Sequence, residues 1–191
     1  MFIINGANLI DGFNGLLTIN LIIINSILAY INLADGINEF SVVIIGQIIV
    51  LFSFLLFNFP SAKIFLGDSG SYFLGSLVAL NVIITNNLNP DYSSFFFCTL
   101  LFYLFFEVFF SFFRKIAQKK SPIYPDDKHL HMLVFKKVSL IFGKDKGNYM
   151  NSLIINLGYL SFVLPAFVFA KDPVISRYWF FSLIVIYLVI Y

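Results

Sequence analysis

Apolar residues run along this 191-residue chain in long blocks, not in short alternating stretches. A helix needs roughly 20 mostly apolar residues to cross a bilayer, and blocks of about that length lie at 16–34, 40–59, 71–88, 94–113, 151–170 and 176–191. Six spans are therefore predicted. Asn20, Asn25 and Asn32 interrupt the first, and the last ends with the chain. The polar stretches between them, 5–15, 35–39, 60–70, 89–93, 114–150 and 171–175, read as loops. Inside the longest, residues 132–142, "MLVFKKVSLIF", predict a short amphipathic helix on the membrane surface with Gly143 as its stop.

Composition agrees with the pattern. Hydrophobic residues make up 60% of the chain and charged residues 12%, against about 45–50% and about 25% in soluble domains. The expected fold is an all-α integral membrane protein, one transmembrane domain over 1–191 that carries a basic loop at 114–150. The single cysteine, Cys98, excludes a disulfide framework and a cysteine metal site. "MFII" is too short for the apolar core of a cleavable leader.

Charge then orients the spans. Arg114, Lys115, Lys119, Lys120, Lys128, Lys136, Lys137, Lys144 and Lys146 lie in the 114–150 loop, leaving only three of the 12 basic residues elsewhere. Positive loops stay inside, so this loop is placed on the cytoplasmic face of the plasma (inner) membrane. Counting spans backwards puts 60–70 and 5–15 on the same face. Asp35, Glu39 and Asp91 fall on the other. Three polar segments thus share one surface: "NGANLIDGFNG", "PSAKIFLGDSGS" and "PDDKHLHM".

These segments hold the candidate chemistry. The string GDSG around Asp68 is also the nucleophile box of chymotrypsin-like proteases. That triad needs a histidine earlier in the chain, and both histidines, His129 and His131, come later, so a protease is excluded. Asp68 reads either as the N-cap of the following helix or as a divalent-cation or phosphate-site residue, with glycines on either side allowing close backbone approach. Asn8, Asp11 and Asn14 recur every three residues. On a helical turn Asn8 and Asp11 share a face, and such oxygens suit hard cations. Asn14 reads as a cap for the next span. In an extended segment His129 and His131 point the same way. Flanked by Asp126 and Lys128, they can bind a diphosphate or act as acid and base. Glu107 is the one acid well inside a span, which makes it either a functional group or a partner for Arg114.

Taken together, "NGANLIDGFNGL", "FNFPSAKIFLGDSGSYFLG" and "FEVFFSFFRK" followed by "SPIYPDDKHLHMLVF" resemble the polyprenyl-phosphate N-acetylhexosamine-1-phosphate transferases. The motifs come in that family's order, from about residue 5 to 135. The resemblance implies transfer of a sugar 1-phosphate from a UDP-N-acetylhexosamine to polyprenyl (undecaprenyl) phosphate, releasing UMP, with Mg²⁺ as cofactor. It implies a catalytic set of Asp11, Asp68, His129 and His131, with Asp68 and Asp11 at the metal. Asn8, Asn58, Asp126 and Lys128 would contact substrate.

Two departures from the family stand out, Asn14 in place of a second aspartate and Met132 in place of a further histidine. They favour a branch that initiates O-antigen or capsule glycans. Family members also carry an earlier Asp-Asp loop, so the chain looks like the C-terminal half of such an enzyme. It would work with a separate N-terminal half or a homodimer partner, among membrane lipids and without nucleic acid. Two alternatives are a non-catalytic remnant that binds lipid or nucleotide, and a small proton-coupled transporter using Glu107.

Overall fold

The computed structural model describes residues 1–122, 124 and 126–191. Ile123 and Pro125, the latter opening the PDDKHLHM motif, lie outside the described residues. Backbone groups in lipid must be satisfied within their own segment, so every long apolar block becomes a helix. Among the described residues there are α1 (Phe2–Ile10), α2 (Leu16–Ala34), α3 (Asn38–Asn58), α4 (Gly67–Leu88), α5 (Ser94–Leu100), α6 (Phe102–Ala117), α7 (Leu130–Phe142), α8 (Lys144–Val168) and α9 (Pro173–Ile190). Five of these are long and apolar enough to cross a membrane, six if α5 and α6 count together. The chain is a multi-pass membrane protein.

Several expectations need correction. The stretch 5–15 is not all loop, because α1 continues to Ile10 with Gly6, Ala7 and Ile10 buried at helical spacing. The fourth span is broken at Leu101, where α5 and α6 meet at 75°. The fifth starts at Lys144, not 151, and the third at Gly67, not 71. An apolar window misses these first turns because helices continue past the hydrocarbon into polar surroundings. The helix expected at 132–142 forms two residues early, and Gly143 stops it at φ +79°.

Both halves of the broken pair pack on α9. Ser93 N–H donates to the Ala170 carbonyl at 2.8 Å at one end. Phe95 then packs on Phe180 and Phe181, Phe106 on Tyr187, and Phe110 on Tyr191. α5–α6 therefore runs alongside α9 from end to end. The turns after α1, after α3 and before α7 gather at one end of the bundle, joined by Asn14 to Pro60 and by Phe13 to His131. The turns after α2, α4 and α8 gather at the other, joined by Asn89 to Asn32 and Ser93 to Ala170.

The asparagines that interrupt the first span explain themselves by their partners. Asn32 donates to Thr85 Oγ1 at 2.8 Å, Asn81 donates to Asn25 at 3.0 Å and to Gln47 at 2.7 Å, and Asn20 meets Asn156 at 3.4 Å. Each interhelical bond of this kind is worth about 1 kcal/mol in a membrane.

Close approach of α1 to its neighbours rests on two glycines. A Cβ on Gly6 would lie 1.9 Å from the Leu104 carbonyl oxygen of α6. A Cβ on Gly75 would lie 2.7 Å from Ala7 Cβ and 3.1 Å from the Ile4 Cα. Gly6→Ala should therefore push α1 off α6 and lower stability by about 1–3 kcal/mol or more. Thermal unfolding in detergent checks this against Gly46→Ala, where a new Cβ meets nothing within 4 Å and the midpoint should hold or rise.

Candidate functional site

Asn8 is a fixed point of the site. Its Oδ1 accepts from the Ser71 hydroxyl at 2.7 Å and its amide donates to the Tyr72 hydroxyl at 3.1 Å, both from α4. The two bonds tie the end of α1 to the first turns of α4. Asp11, one turn after Asn8, and Asp68, the second residue of α4, then line one polar cavity of about 220 Å³. Gly12, Phe13, Asn14, Asn58 and Gly67 also line it.

Neither helix uses the expected cap. Leu66 and Gly15 occupy the N-cap positions of α4 and α2 and make no side-chain cap bond. Asp68 is thus left exposed at the helix N-terminus, and Asn14 is spent elsewhere. Its amide donates to the Pro60 carbonyl at 2.7 Å, and its backbone N–H donates to Asn148 Oδ1 at 2.8 Å. Gly15, at φ +78°, sends its N–H to Asn58 Oδ1 at 2.7 Å. Asn58 also donates to the Ile64 carbonyl at 2.9 Å. It borders the cavity, but both ends of its amide hold backbone.

The cavity carries two acids close together. Burial, and then the charge of Asp68, raise the Asp11 carboxyl from 3.8 to about 6. Two carboxylates without a counter-charge cost free energy that a divalent cation removes. Among the described residues no group of three His, Cys, Asp or Glu converges as a metal centre. Two carboxylates nevertheless suit Mg²⁺, which keeps waters and takes further oxygens from a substrate phosphate.

A second cluster lies behind Phe13, whose ring sits 5.8 Å from that of His131. Here Glu107 Oε2 is 3.1 Å from His129 Nδ1, and its Oε1 accepts from Leu130 N–H at 3.1 Å and from the Tyr187 hydroxyl at 2.9 Å. The expected Glu107–Arg114 pair does not form. Arg114 instead grips Asp126 with two bonds of 2.9 and 3.1 Å. Burial pushes Asp126 up, but Arg114 and the Lys128 N–H outweigh it and hold the carboxyl down at about 2.

His129 is extended and His131 lies in the first turn of α7, yet their rings are parallel, with centroids 5.5 Å apart. They are 5% and 0% exposed. Burial lowers His131 to about 4, and its Nδ1 meets the Tyr103 hydroxyl at 3.2 Å. Lys128 stays exposed. The structure brings Asn8, Asp11, Asn58 and Asp68 to one cavity. It does not bring His129, His131, Asp126 or Lys128 to the walls of that cavity.

Residues 1–86 match the family model described as glycosyl transferase family 4. Over 138 residues, 71% of this chain and 40% of the relative, the chain is 34% identical to the undecaprenyl-phosphate alpha-N-acetylglucosaminyl 1-phosphate transferase of Thermotoga maritima. Over 133 residues, 68% of this chain and 36% of the relative, it is 35% identical to a probable undecaprenyl-phosphate N-acetylglucosaminyl 1-phosphate transferase of Bacillus subtilis. Over 82 residues, 42% of this chain and 25% of the relative, it is 44% identical to the phospho-N-acetylmuramoyl-pentapeptide-transferase of Leuconostoc mesenteroides. The chain thus spans two fifths or less of the length of these relatives. No solved structure matches it.

The matched region contains all four motif residues at the polar cavity. The histidine loop lies outside it. Ser71 and Tyr72 were missed in the sequence, although their spacing from Asp68, three and four residues, puts them on its face of a helix. Asn148, Tyr103 and Tyr187 gave no signal, since each reaches the site from a distant helix.

The raised Asp11 carboxyl sets the sign of a pH effect. Below 3.8 the group is protonated in both folded and unfolded chains, and its contribution to stability is fully present. It is lost as pH rises through about 6. His131, lowered to about 4, adds stability with rising pH over much of the same range, so Asp11 is read by difference. In chelator the thermal midpoint of the wild type should fall relative to that of Asp11→Asn between pH 3.8 and about 6 and level off above. Asp68→Asn should move that relative fall to lower pH. Asp126, shifted the other way, acts only below this window.

Proposed function

We propose that this chain takes part in moving N-acetylhexosamine 1-phosphate from a UDP-sugar onto polyprenyl phosphate. An oxygen of the lipid phosphate attacks the sugar-bearing phosphorus. The bond to the bridging oxygen breaks, UMP leaves, and a lipid diphosphate sugar remains. The observation that carries this reading is the meeting of Asp11 and Asp68, from separate helices, in one polar cavity at the end of the bundle where the three motif segments gather. The basic residues next to that end support the cytoplasmic face of the plasma membrane as its location. Two relatives that overlap the chain over 138 and 133 residues are named N-acetylglucosaminyl 1-phosphate transferases, which supports N-acetylglucosamine as the sugar.

Asp11 and Asp68 would hold Mg²⁺, which supplies charge neutralisation for a diphosphate and for the oxygen that leaves it. Asn8, locked by Ser71 and Tyr72, holds the end of α1 so that Asp11 stays at Asp68. Asn58 and Asn14 hold the 59–66 turn against the start of α2 and so keep the cavity open. Lys128 lies on the histidine loop as an exposed cation for phosphate oxygens.

Transporter chemistry at Glu107 has less support, because three protein hydrogen bonds already engage that carboxylate. Exchange of labelled UMP into the UDP-sugar on membranes carrying the chain tests the proposal. Asp68→Asn and Asp11→Asn should each lower the exchange rate on the order of 100-fold. Exchange at the full rate in Asp68→Asn would overturn the metal assignment.

A further inference from the structure

Glu107 is 1% exposed, and the chemistry of the polar cavity gives it no task. A buried carboxylate is tolerated only when paired and hydrogen-bonded. Glu107 meets that condition with groups from three other positions: the His129 ring, the Leu130 N–H at the start of α7, and the Tyr187 hydroxyl on α9.

An ionised carboxylate only accepts hydrogen bonds. An ionised Glu107 would therefore hold the proton of the 3.1 Å contact between its Oε2 and His129 Nδ1 on the ring nitrogen. The opposite nitrogen, Nε2, faces Asp126 Oδ1 at 3.6 Å, too far for a direct hydrogen bond. Asp126 is in turn held by Arg114 and by the Lys128 N–H. His131 lies parallel to the ring on one side. Tyr191, one turn after Tyr187, donates to the Lys128 carbonyl at 3.0 Å and so fastens the same loop to α9.

We propose that Glu107 is a positioning residue. Braced by the Tyr187 hydroxyl, it keeps the His129 imidazole protonated at Nδ1 and turned so that Nε2 faces Asp126 on the motif loop. Its bearing on catalysis rests on the transferase reading above, whereas the state of the ring does not. If Glu107 served only to cap α7 through the Leu130 N–H, its loss would leave the protonation of the ring unchanged.

The chain has only two histidines, so the imidazole region of a ¹⁵N spectrum of the full chain in detergent holds two rings. His129→Gln removes one set and assigns both. The wild type should show a directly bonded proton on His129 Nδ1. In Glu107→Gln the side-chain amide can donate to Nδ1, and that proton should be lost. Tyr187→Phe keeps the ring packed on Phe106 and Phe110 and removes only the brace, so the Nδ1 proton should remain with a shifted resonance.

A bare Nδ1 in the wild type, or an unchanged Nδ1 signal in Glu107→Gln, would overturn the proposal. Should Glu107→Gln fail to fold, a shifted Nδ1 proton in Tyr187→Phe supports the proposal and an unmoved one sinks it. In the UMP exchange assay Tyr187→Phe should lower kcat about 10-fold with KM for the UDP-sugar unchanged. The expected spectra on membranes without any exchange would uphold the positioning role and reject the transferase reading.

Discussion

The contact on which the candidate site depends is the close packing of α1 against α4. Gly75 lets Ala7 approach, Ser71 and Tyr72 bind Asn8, and Asp11 is carried round to Asp68. A helix axis separation set by a missing Cβ is reproducible in a way that a loop is not, because packed interiors resist displacement. The cavity is thus built from two helix ends, with the turns at 11–15 and 59–66 completing its rim. Asn58 and Asn14 are the pins of that rim, each bonded to backbone of the neighbouring segment.

Once the carboxylates meet, electrostatics takes over. Burial and mutual repulsion raise Asp11 toward neutral pH, the condition in which a divalent cation gains most by binding. The second cluster is arranged in the opposite sense. There Arg114, the histidine ring and backbone N–H groups surround Asp126 and Glu107, and the acids are compensated within the protein. One end of the bundle therefore holds an uncompensated acidic pocket beside a compensated, tightly bonded histidine loop, with the Phe13 ring between them.

Lipid surroundings account for much of the rest. A membrane helix gains nothing by burying apolar surface against another, so specificity passes to small residues and polar contacts. α2 shows this along its length, with Asn20, Asn25 and Asn32 each bonded to a side chain of another helix. The break at Leu101 serves the same site from the other side. It tilts α6 so that Leu104 meets Gly6 while Glu107 and Arg114 reach the histidine loop.

The spans, their number and the gathering of three motif segments at one end were legible along the chain. Apolar run length and the placement of lysines are local quantities, and a bilayer acts on them directly. Asp11 and Asp68 could be named for the same reason, as acids beside glycines next to a span. Other features had no local signature. The bend at Leu101, the exchange of partners that gives Arg114 to Asp126 and Glu107 to His129, and the burial of both histidines depend on residues far apart in the chain, such as Glu107 and Tyr187 or Phe13 and His131. Such partners meet only after the helices have packed. Length and charge decided which segments cross and which end they share; the distances between helices decided which polar groups became a site and which became its supports.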